Sequence, residues 1–328
     1  LISPVSILRN WRPIVRKAWR LLQAMQDEST AHERQKLRRE LVLLTMSTAP
    51  RYPSLEAMDI ASSDAEMFCV MHGGLRFDCL LKRGGSLDSP LFVVLSGLRS
   101  PEKHPIPKFD RISRAPVFSG HVLYVSDPVH HLAPDARTGW YLGDSSRPGI
   151  PLLADVVRAV AGGLGVADDQ VIAYGSSAGG FAAVKLAAHL GTATAVAINA
   201  QTKLWLFRRG TVNRWRQACF PDLAQDVFFK RGSSPFDLHE TALSHARFKL
   251  LYVQNRLDEF HFRTFYQPFC AAFRMDAERV GLARYGRMST YLFEHASGHG
   301  AETLEIMPDL VSEARELAAL RVDEESAR

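Results

Sequence analysis

An α/β fold with an eight-stranded, mostly parallel sheet, helices on both of its faces and an N-terminal helical extension is predicted by two observations. From about residue 65 onward, short apolar runs of strand length recur, and the later ones alternate with stretches of helical spacing, the pattern of a covered parallel sheet. Within that alternation, Val171-Ile172-Ala173-Tyr174 reads as a buried strand that breaks at Gly175-Ser176-Ser177-Ala178-Gly179-Gly180 and restarts as a helix.

The elements follow in order. Residues 5–26 and 30–47 place Leu, Ile, Val, Trp and Met at helical spacing among Arg, Lys and Gln, with Ser29-Thr30 as the break and Pro13 as a kink. The apolar face of this arm, carrying Ile7, Trp11, Ile14, Val15, Trp19 and Leu22, is too broad to stay solvated. It is expected to dock on the protein body or a partner subunit rather than on a membrane. Strands are expected at 66–71 and 75–81, joined by Gly73-Gly74 as a hairpin, and then at 91–95, 121–126, 170–174, 193–199, 249–254 and 290–294. Helices are expected at 152–162, 178–190, 262–280 and 301–320. The chain divides into a basic extension, residues 1–60, and a body, residues 61–328, with a small cap at 201–248. Ligands of such sheets bind beyond the carboxyl ends of the strands.

Composition narrows the functional classes. Hydrophobic residues make up 46% and charged residues 23% of 328, the balance of an ordinary globular protein. The formal charge of +5 is unevenly placed: residues 1–51 carry +6 and the rest −1. A near-neutral body argues against a nucleic-acid enzyme, whose working surface would be basic. Cys69, Cys79, Cys219 and Cys270 lack C-x-x-C spacing, so neither a metal nor a disulfide framework is expected, and a cytoplasmic setting with reduced thiols is. No apolar run reaches the length of a membrane span, and no cofactor motif occurs.

The strand-to-helix junction carries the chemistry. In Gly-x-Ser-x-Gly the central serine sits on a strained turn that only small flanking residues fit. Gly175 and Gly179 frame Ser177 in this way. Ser176 would have Tyr174 and Ala178 at those positions, and tyrosine is too bulky for the inside of the turn. A serine hydroxyl is a weak nucleophile alone and needs a base, an orienting acid and oxyanion donors.

With this junction, the chain resembles the α/β-hydrolase superfamily over residues 61–320. The resemblance implies the order Ser, acid, His, each after a particular strand. Asp258, in Asn255-Arg256-Leu257-Asp258-Glu259, stands at the acid's position, with Glu259 as rival and helix capping as its alternative role. His299, between Gly298 and Gly300, stands at the histidine's position ahead of His295 at the strand end, and His261 is expected to line the pocket. The oxyanion donors implied are the amide of Ala178 and that of Gly97 or Leu98, after the strand 91–95. Trp140 and Tyr141 are expected on the substrate side. The cap brings Trp205, Phe207 and Trp215 among Arg208, Arg209, Arg214 and Arg216, a mix suited to sugars or anions.

A further resemblance, to bacterial acyltransferases or esterases encoded with polysaccharide and glycoprotein export systems, rests on Ser126-Asp127-Pro128, Trp140-Tyr141-Leu142-Gly143, Tyr174 to Gly180 and Gln254-Asn255-x-x-Asp258-x-x-His261. It implies acyl groups on sugars. The function expected is a serine esterase acting on a small-molecule or glycan ester, with O-acyl transfer by the same residues as the alternative. A non-catalytic scaffold of a larger assembly is the rival from another class.

Overall fold

The computed structural model describes residues 45–321, apart from 46, 63–65, 85–88, 232, 233, 246 and 301. Of the helical arm expected at 5–26 and 30–47, all but Thr45 and Ser47 therefore falls outside the described residues.

Ten strands form one sheet, where eight are expected from the sequence. They are β1 (Arg51–Tyr52), β2 (Met67–His72), β3 (Leu75–Lys82), β4 (Leu91–Leu95), β5 (His121–Val125), β6 (Val171–Ser176), β7 (Thr194–Ile198), β8 (Lys249–Asn255), β9 (Gly281–Tyr285) and β10 (Met288–Phe293). Their order is β1-β2-β3-β5-β4-β6-β7-β8-β10-β9. Both additional strands are edges. The two residues of β1 pair with Cys69 and Val70, and β9 runs antiparallel to β10, with only Ala283 of its five residues buried. An edge strand has one neighbour and little apolar cover, so it writes a weak pattern into the sequence. The segment joined to the sheet begins before residue 61: Ile60 is buried in the core beside Gly163.

The helices are α1 (Val129–Leu132), α2 (Gly149–Leu164), α3 (Ala178–Leu190), α4 (Arg209–Cys219), α5 (Gln225–Arg231), α6 (Leu238–Ser244), α7 (Glu259–His261), α8 (Gln267–Ala272) and α9 (Met307–Ala319). The helix expected over 262–280 is shorter: a π-helical turn, Phe262–Tyr266, leads into α8, and the chain then turns at Arg274, φ 55°, toward β9. One face of the sheet packs on α2 and α3, with Leu153, Val157, Phe181 and Leu186 in the larger core. The other face packs on α9 through Met307, Leu310, Val311 and Ala314. All five side chains of β4 and of β7 are buried, as strands covered on both faces require.

The strands β5, β4, β6, β7, β8 and β10 are mutually parallel, so their carboxyl ends share one edge of the sheet. Residues 201–248 lie between β7 and β8 and include α4, α5 and α6. They are anchored by Trp215, which is fully buried and packs edgewise on Trp140 (5.1 Å), Phe236 (5.7 Å) and Phe228 (6.4 Å).

On α6, His239 is buried against Phe269, and burial, helped by Lys203, lowers its pKa from 6.5 to about 4. A histidine kept neutral by the fold leaves the unfolded chain to bind the extra proton, so stability is lost as pH falls from about 6.5 to about 4. The urea midpoint of the wild type is expected to drop over that window more than that of His239→Gln. Parallel curves for the two proteins would refute the assignment.

Candidate functional site

At the end of β6 the backbone turns on Ser177, whose φ of 54° and ψ of −120° lie outside the regions open to ordinary residues. Its neighbours explain why the turn needs glycine. A Cβ on Gly175 would lie 2.3 Å from the Gly179 backbone, and one on Gly179 would lie 2.3 Å from the carbonyl oxygen of Leu95. Ser176 still belongs to β6, paired with Ile198, while Ser177 stands at the start of α3 with its N–H donating to Ile198 O at 2.8 Å. Ala178 is the first residue of α3, so its N–H has no acceptor within the helix.

Three side chains from three strand ends meet here. His299 Nε2 lies 3.1 Å from Ser177 Oγ, and His299 Nδ1 lies 2.5 Å from Asp258 Oδ2. Asp258 follows β8 and caps α7 as well, accepting from the backbone N–H of His261. Burial pushes the Asp258 carboxyl up, but hydrogen bonds from His261 and His299 outweigh that, and it is held well below the usual carboxylate range. The rivals lie elsewhere: Glu259 pairs with Arg263 at the surface, and His295 Nδ1 is 2.7 Å from Ser297 Oγ.

His261 is almost wholly buried. Its Nδ1 is 3.1 and 2.9 Å from the two Asp258 oxygens, and its ring stacks on that of His299 with centroids 4.0 Å apart. Burial lowers its pKa, favouring the neutral ring. The ligand atoms of Asp258, His261 and His299 all lie within 4.8 Å of one another, so this trio is the group that could hold a metal ion among the described residues. Both Nδ1 atoms and the carboxylate already satisfy one another by hydrogen bonding.

The loop after β4 separates the two amides expected there. Gly97 N–H donates to Asp110 Oδ2 at 3.0 Å and is engaged, whereas Leu98 N–H makes no hydrogen bond among the described residues and Leu98 is half-buried. Asp110 is in turn paired with Lys108, which outweighs the effect of burial and lowers its pKa. Trp140 and Tyr141 have no exposed surface. Tyr141 Oη accepts from Ser96 N–H and donates to Val125 O, both at 2.7 Å, tying the ends of β4 and β5 together. Trp140 Nε1–H donates to Gln201 Oε1 at 3.1 Å. Of the arginines between β7 and β8, Arg216 is buried and hydrogen-bonded to Asn213 and Leu223, Arg209 lies over Phe229, and Arg208 lies over Phe207, whose ring is 5.9 Å from that of His261.

Several site residues are given no role by the sequence, Asn255 appearing there only within Gln254-Asn255-x-x-Asp258-x-x-His261. Gln201, fully buried, places Nε2 at 2.8 Å from Ser177 Oγ and 2.9 Å from His261 Nε2. Asn255 holds the His299 loop by donating to His295 O and Gly298 O, both at 2.7 Å, and Asn199 donates to Gly300 O at 2.9 Å. Beyond it, buried Glu302 receives a two-pronged bond from Arg111, at 2.7 and 2.8 Å, and one from Tyr174 Oη at 3.0 Å. The signal available for Asn199, Gln201 and Asn255 was their place at or just past the ends of β7 and β8, where ligands of such sheets bind. Nothing in the spacing marks Asp110 or Glu302.

No protein-family model matches the sequence, and no curated protein matches it. Among the described residues no helix is long and apolar enough to cross a membrane. Solved structures do match. The capsule O-acetyltransferase of Neisseria meningitidis serogroup A aligns at a TM-score of 0.52 and 14% identity, over 75% of this chain and 94% of that one. An S-formylglutathione hydrolase from Agrobacterium tumefaciens aligns at 0.52 and 14%, over 77% and 93%. Porphyromonas gingivalis dipeptidyl peptidase 4 aligns at 0.53 and 13%, over 77% of this chain and 35% of that one. With strands in this order and a serine on the turn between β6 and α3, the chain has the α/β-hydrolase fold.

Proposed function

We propose that the protein is a serine esterase that cleaves a carboxylic ester through an acyl-enzyme on Ser177. The observation that carries this reading is the strained Ser177 turn with His299 Nε2 at 3.1 Å and Asp258 at the far side of the same ring. Ser177 Oγ attacks the ester carbonyl while its proton passes to His299 Nε2. Asp258 holds Nδ1 protonated, so that Nε2 is free to accept, and stabilises the imidazolium that forms. The amides of Ala178 and Leu98 receive the oxyanion, Gly97 being committed to Asp110. The alcohol leaves with the proton from His299, and water, deprotonated by the same ring, then releases the acid. The His299 side chain is 39% exposed, which gives water a path to it and supports hydrolysis as the second half-reaction.

Transfer to a sugar hydroxyl is the second reading, with an O-acyl group on a glycan as the substrate. It differs only in what replaces water, and the name of the capsule O-acetyltransferase that shares the fold favours it. In this reading residues 201–248 form the cap over the acceptor and the N-terminal arm docks a partner.

A fluorophosphonate probe tests the proposal. The wild type is expected to be labelled and Ser177→Ala not; absence of labelling in both would return the molecule to a binding or scaffolding role. Acyl release from p-nitrophenyl acetate with and without sugar acceptors separates the two readings. A release rate raised by an acceptor supports transfer, and one indifferent to every acceptor supports hydrolysis.

A further inference from the structure

The hydrogen bonds around Gln201 have a direction. Indole nitrogen can only donate, so the Gln201 atom that faces Trp140 Nε1 must be the carbonyl oxygen, and the amide nitrogen must face the other way. That nitrogen carries two hydrogens and has two neighbours in range, Ser177 Oγ at 2.8 Å and His261 Nε2 at 2.9 Å. His261 Nε2, receiving a hydrogen, is the unprotonated nitrogen, so the proton of its neutral ring is on Nδ1 and is donated to Asp258. Both hydrogens and the carbonyl oxygen of the Gln201 amide thereby have partners, in a place with no exposed surface.

We propose, building on the esterase reading, that Gln201 is a catalytic residue whose amide donates to Ser177 Oγ and stabilises negative charge on that atom when it attacks and when it departs. In acylation the bond from Oγ to the carbonyl carbon forms as the Oγ proton moves to His299. In deacylation the bond from water oxygen to carbon forms, the bond from carbon to Oγ breaks, and the electron pair returns to Oγ as His299 reprotonates it. At both ends of the cycle Oγ holds partial negative charge, and a preorganised donor at 2.8 Å acts on it without reorganisation. Oxyanion amides act on the carbonyl oxygen; Gln201 acts on the nucleophile, which is also the leaving group of the second step. Trp140 and His261 are positioning residues here, the first orienting the amide and the second holding it by the other hydrogen.

The experiment follows fluorophosphonate labelling and the pre-steady-state burst of p-nitrophenyl acetate in the wild type, Gln201→Met and Trp140→Phe. For Gln201→Met the labelled fraction at the end point is expected to equal the wild type's, while the labelling rate and both burst-derived rate constants fall by about 10²-fold, the usual effect of one lost donor. Trp140→Phe keeps an aromatic wall but releases the amide, and a smaller loss of the same kind is expected. Rate constants within about threefold of wild type would overturn the proposal, because no transition-state interaction would have been lost. A fall in the labelled fraction with unchanged rates would overturn it too, assigning Gln201 to folding alone. A wild type that neither labels nor turns over would overturn the esterase reading and this one with it, whereas an active wild type with an unaffected Gln201→Met overturns this one only.

Discussion

Asp258→Asn is expected to lower kcat for an ester substrate by about 10⁴-fold while leaving KM nearly unchanged. The reason is specific to the two rings on this carboxylate. Asp258 accepts from His299 Nδ1 and from His261 Nδ1, so both imidazoles are held with their protons on that side. Asparagine offers one oxygen and one NH₂ group, and the NH₂ must face an unprotonated nitrogen. Where that NH₂ faces Nδ1 of His299, the proton of this ring moves to Nε2, while Gln201 keeps His261 with its Nε2 unprotonated. In that tautomer Nε2 cannot take the proton of Ser177. Steady-state kinetics on purified protein check this. A loss of less than about tenfold in kcat would mean that His299 does not depend on Asp258 for its tautomer.

The largest stability effect is expected at Glu302. Its carboxylate has no exposed surface and is paired with Arg111, whose side chain is 4% exposed; removing one partner leaves the other charged and buried. Glu302→Ala is expected to cost about 3–5 kcal/mol of folding stability, the range for breaking a buried pair. Replacing both residues by apolar ones of similar size, Arg111→Met with Glu302→Leu, is expected to recover most of it. Urea denaturation of the two variants decides. A double variant as unstable as the single would show that the pair itself, and not the orphaned charge, is what the fold requires. Glu302 lies three residues beyond His299, so the single variant is also expected to loosen the loop that presents this ring.

The sheet's interior and the serine turn were legible in the sequence because each is written in local residues. The runs 91–95 and 171–174 are apolar throughout, 250–253 is apolar between Lys249 and Gln254, and at 175 and 179 only glycine avoids the contacts at 2.3 Å. The edges were not legible: β9 shows too little burial to impose a pattern, and no element is expected at 281–285, between the helix expected at 262–280 and the strand at 290–294. Within the site, the glycine frame singles out Ser177, and the family resemblance, which assigns the acid and the histidine to particular strand ends, points to Asp258 and His299. The spatial pairings of Gln201 with Ser177, Gly97 with Asp110 and Arg111 with Glu302 span 24, 13 and 191 positions, with no periodicity linking them. Such contacts are products of topology and become visible only when strand order is known. Trp140 and Tyr141 show a related limit. Their aromatic character drew attention to the right edge of the sheet, but their buried polar atoms orient other residues and present nothing to solvent.

On the Gln201 side of Ser177, the indole of Trp140 is the link that cannot be reversed, since it can only donate. Amides flip, imidazoles exchange tautomers and hydroxyls rotate, yet a string of reversible joints fastened to one irreversible end has a single sense along its whole length. Sequence drift at position 140 would therefore be felt at the serine with every intervening residue unchanged, and two proteins identical at Ser177, Asp258 and His299 could differ in reactivity because of a side chain that touches none of the three.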